Sequence, residues 1–99
     1  VESMPEFPGG KKGLSEYFNK TLTYPRQARN QGVQGTVYLR FVIRTDGSVT
    51  DVFVVQGIGG GCDEEALRAI QSMPHWTPAK QNHQNVPVLI TIPVSFRLR

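Results

Sequence analysis

The closing stretch of the chain constrains the fold most. From Val86 to Leu98, Val88, Ile90, Ile92, Val94, Phe96 and Leu98 alternate with Leu89, Thr91, Pro93, Ser95 and Arg97. A period of two over that length is a β-strand with one buried face. The strand carries Pro93, and Pro87 lies six residues earlier. Proline has no N–H to give to a ladder, so within a sheet it belongs on an edge or at a bulge. Residues two apart turn their backbone groups toward the same neighbour. Six is even, so both prolines aim the same way. The simplest arrangement leaves the proline side without a permanent partner strand, while Leu89 and Thr91 still offer N–H and C=O groups there. Two readings of that edge stay open. The prolines blunt it against aggregation, or they frame a docking window, Val88 to Ile92, where a visiting peptide adds as a strand. Three or four added hydrogen bonds, each contributing about 0.5–1.5 kcal/mol net, together with side-chain contacts, correspond to weak-to-moderate binding on the order of micromolar.

The rest of the chain supplies what such a strand packs on. Residues 1–12 hold Pro5, Pro8, Gly9 and Gly10 and read as a linker end or extended arm, with the domain proper at residues 13–99. Leu14, Tyr17, Phe18 and Leu22 share one face of a short helix. A second helical piece runs from Pro25, suited to a first helical position, to Gln31, with Gly32 as a left-handed cap. Thr36 to Arg44 is a strand with Val37, Leu39, Phe41 and Ile43 on its inner face. Thr45-Asp46-Gly47-Ser48 is a hairpin turn into a return strand, Val49 to Gln56, whose valines crowd both faces and leave its register open. After the glycine-rich loop Gly57 to Gly61, Asp63 suits an N-cap. Ala66, Leu67, Ile70 and Met73 then make a helical stripe that Pro74 stops. Lys80 to Asn85 reads as a polar loop. The fold class is α+β: helices packed on one face of a small three-stranded antiparallel sheet, in the order helix, strand, strand, helix, strand.

Composition narrows the function. With 99 residues the chain has one domain's worth of core. Its 38% hydrophobic and 19% charged content is that of a folded domain rather than a disordered tail. A net charge of +3 favours acidic partners without singling out nucleic acid. Tyr38, Arg40 and Arg44 line an outer strand face, yet Val37 to Arg44 does not fit an RNA-binding sheet motif, so a solvated face is expected. A single cysteine, Cys62, allows no internal disulfide. Cys62 falls near a helix start, which lowers a thiol pKa, but Asp63, Glu64 and Glu65 oppose its thiolate. A structural cysteine is the expectation. His75 and His83 lack a clear third ligand, so no metal site is assigned. Gly57 to Gly61 lacks the Lys-Ser/Thr ending of a phosphate loop and reads as a connector. Trp76 is expected to plug the core. No base, nucleophile and orienting group come together in the pattern, so an enzyme and a cofactor are not expected.

Taken in order, Tyr24-Pro25, Gly32, Gly35, Val37 to Ile43, Asp46-Gly47-Ser48-Val49, Asp63-Glu64-Glu65-Ala66, Met73-Pro74-His75-Trp76-Thr77-Pro78 and Pro93-Val94-Ser95-Phe96 resemble the TonB C-terminal domain family. The opening Phe7-Pro8-Gly9-Gly10 resembles the version common in Bacteroidetes-type sequences. The resemblance spans about Phe7 to Leu98. It implies the periplasmic end of an energy transducer that is anchored in the inner membrane of a Gram-negative bacterium and driven by an ExbB–ExbD motor. Such a domain captures the TonB box of an outer-membrane transporter by strand addition to its last strand, here Val88, Leu89, Ile90, Thr91 and Ile92. Force on the transporter plug then admits siderophores, cobalamin or glycans. The resemblance also turns Thr21, Tyr24, Arg26, Gln27 and Arg29 toward the transporter, with Arg26 and Arg29 placed to pair with acidic plug residues. A chain ending just past this strand leaves the edge open, or leaves it to be covered by a second copy in a homodimer. The alternative function is a sensor or interaction domain of the same fold, appended to another membrane protein such as a receptor-type metallopeptidase.

Overall fold

The computed structural model describes residues 2–98. Helix α1 spans Gly10–Thr21 and α2 spans Arg26–Gln31. Strands β1 (Gly35–Ile43) and β2 (Val49–Gln56) follow, then helix α3 (Cys62–Gln71). A short hairpin, β3 (Ala79–Gln81) and β4 (Gln84–Val86), precedes the last strand, β5 (Val88–Phe96). The main sheet has the order β2-β1-β5, with both pairings antiparallel. The α+β architecture expected from the pattern is therefore the observed one.

β1 is the centre of the molecule. Its alternate residues Val37, Leu39, Phe41 and Ile43 are fully buried. They pack with Ala28 of α2, Cys62, Ala66 and Ile70 of α3, and Val94 and Phe96 of β5. A residue in the middle strand has a ladder on each side and a helix layer beneath, which is why this set is the driest part of the fold. Trp76 is 7% exposed. It meets Phe41 at 5.8 Å and Phe7 at 5.5 Å between ring centroids, edge to face in both cases. The core position expected of Trp76 is the one it takes.

The β1–β2 turn follows the sequence chemistry. Gly47 has φ 87°, and its N–H donates to the Arg44 carbonyl at 2.9 Å. The Trp76 N–H donates to the Gly47 carbonyl at 2.8 Å. A Cβ on Gly47 would stand 2.0 Å from the Trp76 oxygen, so the position needs glycine twice over. Asp46 accepts bonds from the Ser48 hydroxyl at 2.6 Å and the Ser48 N–H at 2.9 Å, and these hold its carboxyl below the usual range.

Several local expectations need correction. Lys80 to Asn85 is a hairpin rather than a loop: Asn82 (φ 53°) and His83 (φ 64°) both take positive φ, the requirement of a tight two-residue turn. Asp63 does not cap α3; Gly61 holds the cap position. The Asp63 carboxylate instead accepts the N–H groups of Ile58 and Gly59 at 2.8 and 3.2 Å, tying down the glycine loop. Pro25 sits one place before α2, in an extended conformation, rather than in its first turn. β5 starts at Val88, not Val86, because Val86 belongs to β4.

The first residues are extended and docked. Ser3 bridges to Lys80 and Glu6 to Thr77. Phe7 is 6% exposed and lies 5.4 Å from the Tyr17 ring. α1 starts at Gly10, inside the stretch read as an arm.

Candidate functional site

The candidate site is the outer edge of β5. The β1–β5 register runs without a slip from Gly35↔Phe96 to Ile43↔Val88. Among the described residues β5 has no second partner strand. Pro93 lies opposite Tyr38. In an antiparallel ladder, opposed residues either exchange both backbone bonds or exchange neither. Pro93 has no N–H to exchange, so the Tyr38–Pro93 pair is the non-bonded kind. Parity then fixes the rest. Val88, Ile90, Ile92, Val94 and Phe96 bond β1, whereas Leu89, Thr91, Pro93 and Ser95 turn their backbone outward. The open edge thus offers the N–H groups of Leu89, Thr91 and Ser95, and the carbonyls of all four. Pro93 marks an edge and not a bulge.

Side chains follow the same parity. Ile90 and Ile92 are half-buried on the helix side, and Val94 is 2% exposed. Leu89, Thr91, Pro93 and Ser95 share the exposed face. Leu89 is 58% exposed, the second most open of the large apolar side chains after Met4. Of the five residues in the sequence-derived window, Leu89 and Thr91 present backbone to the edge. Val88, Ile90 and Ile92 hold the strand to β1.

The second set of expected residues lies at the corner between α1 and α2, toward the far end of β5. Arg26, Gln27 and Arg29 are exposed on α2, while Thr21 and Tyr24 are half-buried. The Tyr24 ring meets Phe96 at 5.7 Å, edge to face, and its hydroxyl donates to the Val33 carbonyl. Partial burial raises the Tyr24 phenol, which keeps it neutral. The Arg29 guanidinium lies 5.9 Å over the Tyr24 ring. The same two residues line a hollow of about 390 Å³ with Arg97 and Leu98, just past the end of β5. The structure does not set the corner against the Val88–Ile92 window. The second half of β5 joins them, and sequence reasoning passed over Ser95 and Arg97 there.

Helix α3 fixes the corner. The Arg68 guanidinium grips Glu65 through two bonds of 2.8 Å. Arg68 also donates to the Thr21 carbonyl at 2.9 Å, and the Glu65 carboxylate accepts the Thr23 N–H at 2.7 Å. The side-chain bonds from Arg68 hold the Glu65 carboxyl below its usual value. The Tyr17 hydroxyl donates to the Ala69 carbonyl at 2.6 Å, pinning α1 to α3. No spacing rule on the sequence links Arg68 to Thr21, 47 residues away.

The other reactive residue types lie elsewhere. Cys62 is buried, and its thiol is pushed up by burial and by the Asp63 and Glu64 charges, which matches a structural cysteine. His75 stands 3.2 Å from the Asp46 carbonyl, and His83 sits on the β3–β4 turn. Among the described residues no three His, Cys, Asp or Glu side chains group as metal ligands. On the outer sheet face, Arg40 stacks 5.5 Å over Phe53, and Tyr38 is 41% exposed. No helix of the described residues is long and apolar enough to cross a membrane.

Residues 20–98 match the family described as the Gram-negative bacterial TonB protein C-terminal. The chain is 35% identical over 77 residues to Protein TonB from two strains of Helicobacter pylori, a span of 77% of this chain and 26% of theirs. Among solved structures, the H. pylori TonB-CTD superposes with a TM-score of 0.67 at 30% identity, covering 87% of this chain and 90% of that one. The Pseudomonas aeruginosa TonB CTD gives 0.62 at 26% identity, covering 78% of each chain. A domain with a bare last strand, matched over both its helices and its sheet, therefore belongs to the Gram-negative bacterial TonB protein C-terminal family.

Proposed function

We propose that this domain is the transporter-gripping end of a TonB-type energy transducer. It captures the TonB box of an outer-membrane transporter by strand addition to β5 and passes on force from an ExbB–ExbD motor. The whole protein would be anchored in the inner membrane with this domain in the periplasm. Family membership supports the reading in general. The observation that carries it here is the outer edge of β5, where Leu89, Thr91 and Ser95 point N–H groups away from the sheet. The exposed Arg26 and Arg29 of α2 suit an acidic surface on the same transporter.

Titration of isotope-labelled domain with peptides from transporter N-termini tests this. Capture requires large shifts and new exchange protection at the Leu89, Thr91 and Ser95 amides, with smaller changes on β1. Thr91→Pro removes one outward N–H and leaves the β1 ladder whole, so it should fold and bind at least about tenfold more weakly. Unaltered binding by that variant would refute strand addition at β5.

A further inference from the structure

Beside the open edge runs a groove that backbone pairing does not use. One wall is Leu14 and Phe18 of α1 with Leu22 just past its end, and the other is β5 from Ile92 to Ser95. It holds about 360 Å³. Leu14, Phe18 and Leu22 recur every four residues and so share a helix face. That face is only half-buried in the fold. Lys11, Ser15 and Asn19 form a polar rim.

The pleat of the sheet connects this groove to the edge. Directly opposed residues of neighbouring strands put their side chains on the same face, whichever way the new strand runs. A residue opposite Thr91 or Pro93 would turn its side chain to the exposed face. A residue opposite Ile92 or Val94 would turn its side chain to the helix side, between β5 and α1. The groove lies there.

Resting on the strand-addition reading, we propose that this groove selects the captured segment. It takes one apolar side chain, such as valine, leucine or isoleucine, from the added residue that stands opposite Ile92 or Val94. A charged side chain at that position would be stripped of water against Leu14 and Phe18, with Lys11 at the rim as the one charge lining the groove. The edge supplies sequence-independent affinity through backbone bonds, and the groove supplies the preference. Leu14 and Phe18 precede residue 20, where the family match begins, whereas Leu22 lies within it.

The probe is a set of threonine-rich nonapeptides with leucine or aspartate at the centre. Leucine should bind about ten- to a hundredfold more tightly than aspartate, with nuclear Overhauser contacts from its methyls to the Phe18 ring. Ser15→Trp, at an exposed rim position, should fill the groove, keep the fold and erase most of that preference. Leu14→Ser should do the same from the wall. A parallel N-methyl scan of the leucine peptide separates the two readings. Sensitivity at every second residue is the mark of strand addition in either direction. If that alternation is present but leucine is not preferred, or its methyls contact Leu89 and Thr91 instead of Phe18, the groove has no selective role. If no alternation is seen, or no peptide binds, strand addition at β5 fails and the groove inference with it.

Discussion

The sheet has two edges, and they are built differently. β5 keeps one unbroken register with β1 over nine residues. β2 slips twice along the same partner, once between Tyr38 and Leu39 and once between Arg40 and Val42. At the second slip, Asp51 and Val52 oppose Phe41 alone, and Asp51 takes φ 54°. An extra residue in the left-handed region bends a strand and breaks the even row of donors and acceptors that a docking chain needs. β2 is thus unfit for strand addition along its length. β5 is blunted at one position, Pro93, and is otherwise a straight template. Leaving one edge regular and bulging the other gives a small sheet a single place to extend.

The largest effect should come from the strand that both edges share. Leu39→Ala removes a fully buried side chain beneath both ladders and should cost about 2–5 kcal/mol, read by thermal or urea unfolding. Next comes a matched pair on β5. Ile90→Pro deletes a donor to β1 and strands the Phe41 carbonyl, costing about 1–3 kcal/mol, whereas Thr91→Pro should change unfolding by less than about 0.5 kcal/mol. Equal losses from the two would break the parity on which the edge assignment rests. On the other edge, Asp51→Val forces a β-branched residue into the left-handed region and should destabilise by about 1–2 kcal/mol, while Asp51→Gly should be neutral or slightly stabilising. Peptide binding at β5 should be unchanged in Asp51→Gly, which a titration checks.

The smallest effect is pH dependence at the α1–α2 corner. The Glu65 carboxyl is lowered from its usual 4.5 in the fold. A lowered folded pKa contributes stability above the unfolded value and loses it as pH falls through the folded value. Glu65 should therefore titrate below pH 4.5, and the Thr23 amide that it accepts should shift with it in NMR spectra. Arg68→Ala removes the first cause of the shift and should move the midpoint upward.

Much of the fold was legible because the relevant signals are local. Alternation in β1 and β5, Gly47 in its turn, Gly32 at its cap and the stripe of α3 are each set by residues within one element. Pro93 even reported the edge, since a missing N–H has the same consequence in any sheet. The groove was harder to see. The spacing of Leu14, Phe18 and Leu22 declares an apolar helix face, but not how far from the sheet that helix stops. The Glu65–Arg68 clamp on Thr21 and Thr23 was likewise silent, because its partners meet only after folding.

The division is clearest along β2. By itself the sequence determined that Val49 to Gln56 is a strand, and that its valines suit either face. Only the tertiary structure decided which ones turn inward. Val49 pairs with Ile43 on the inner side, and the extra residue at Asp51 then switches parity so that Val52 and Val54 pack on the core while Phe53 and Val55 stay exposed. Period-two alternation fixes a face only when polar residues mark the other one. Where both sets are apolar, the choice falls to the packing of β1 and α3 beneath, which no window of sequence contains.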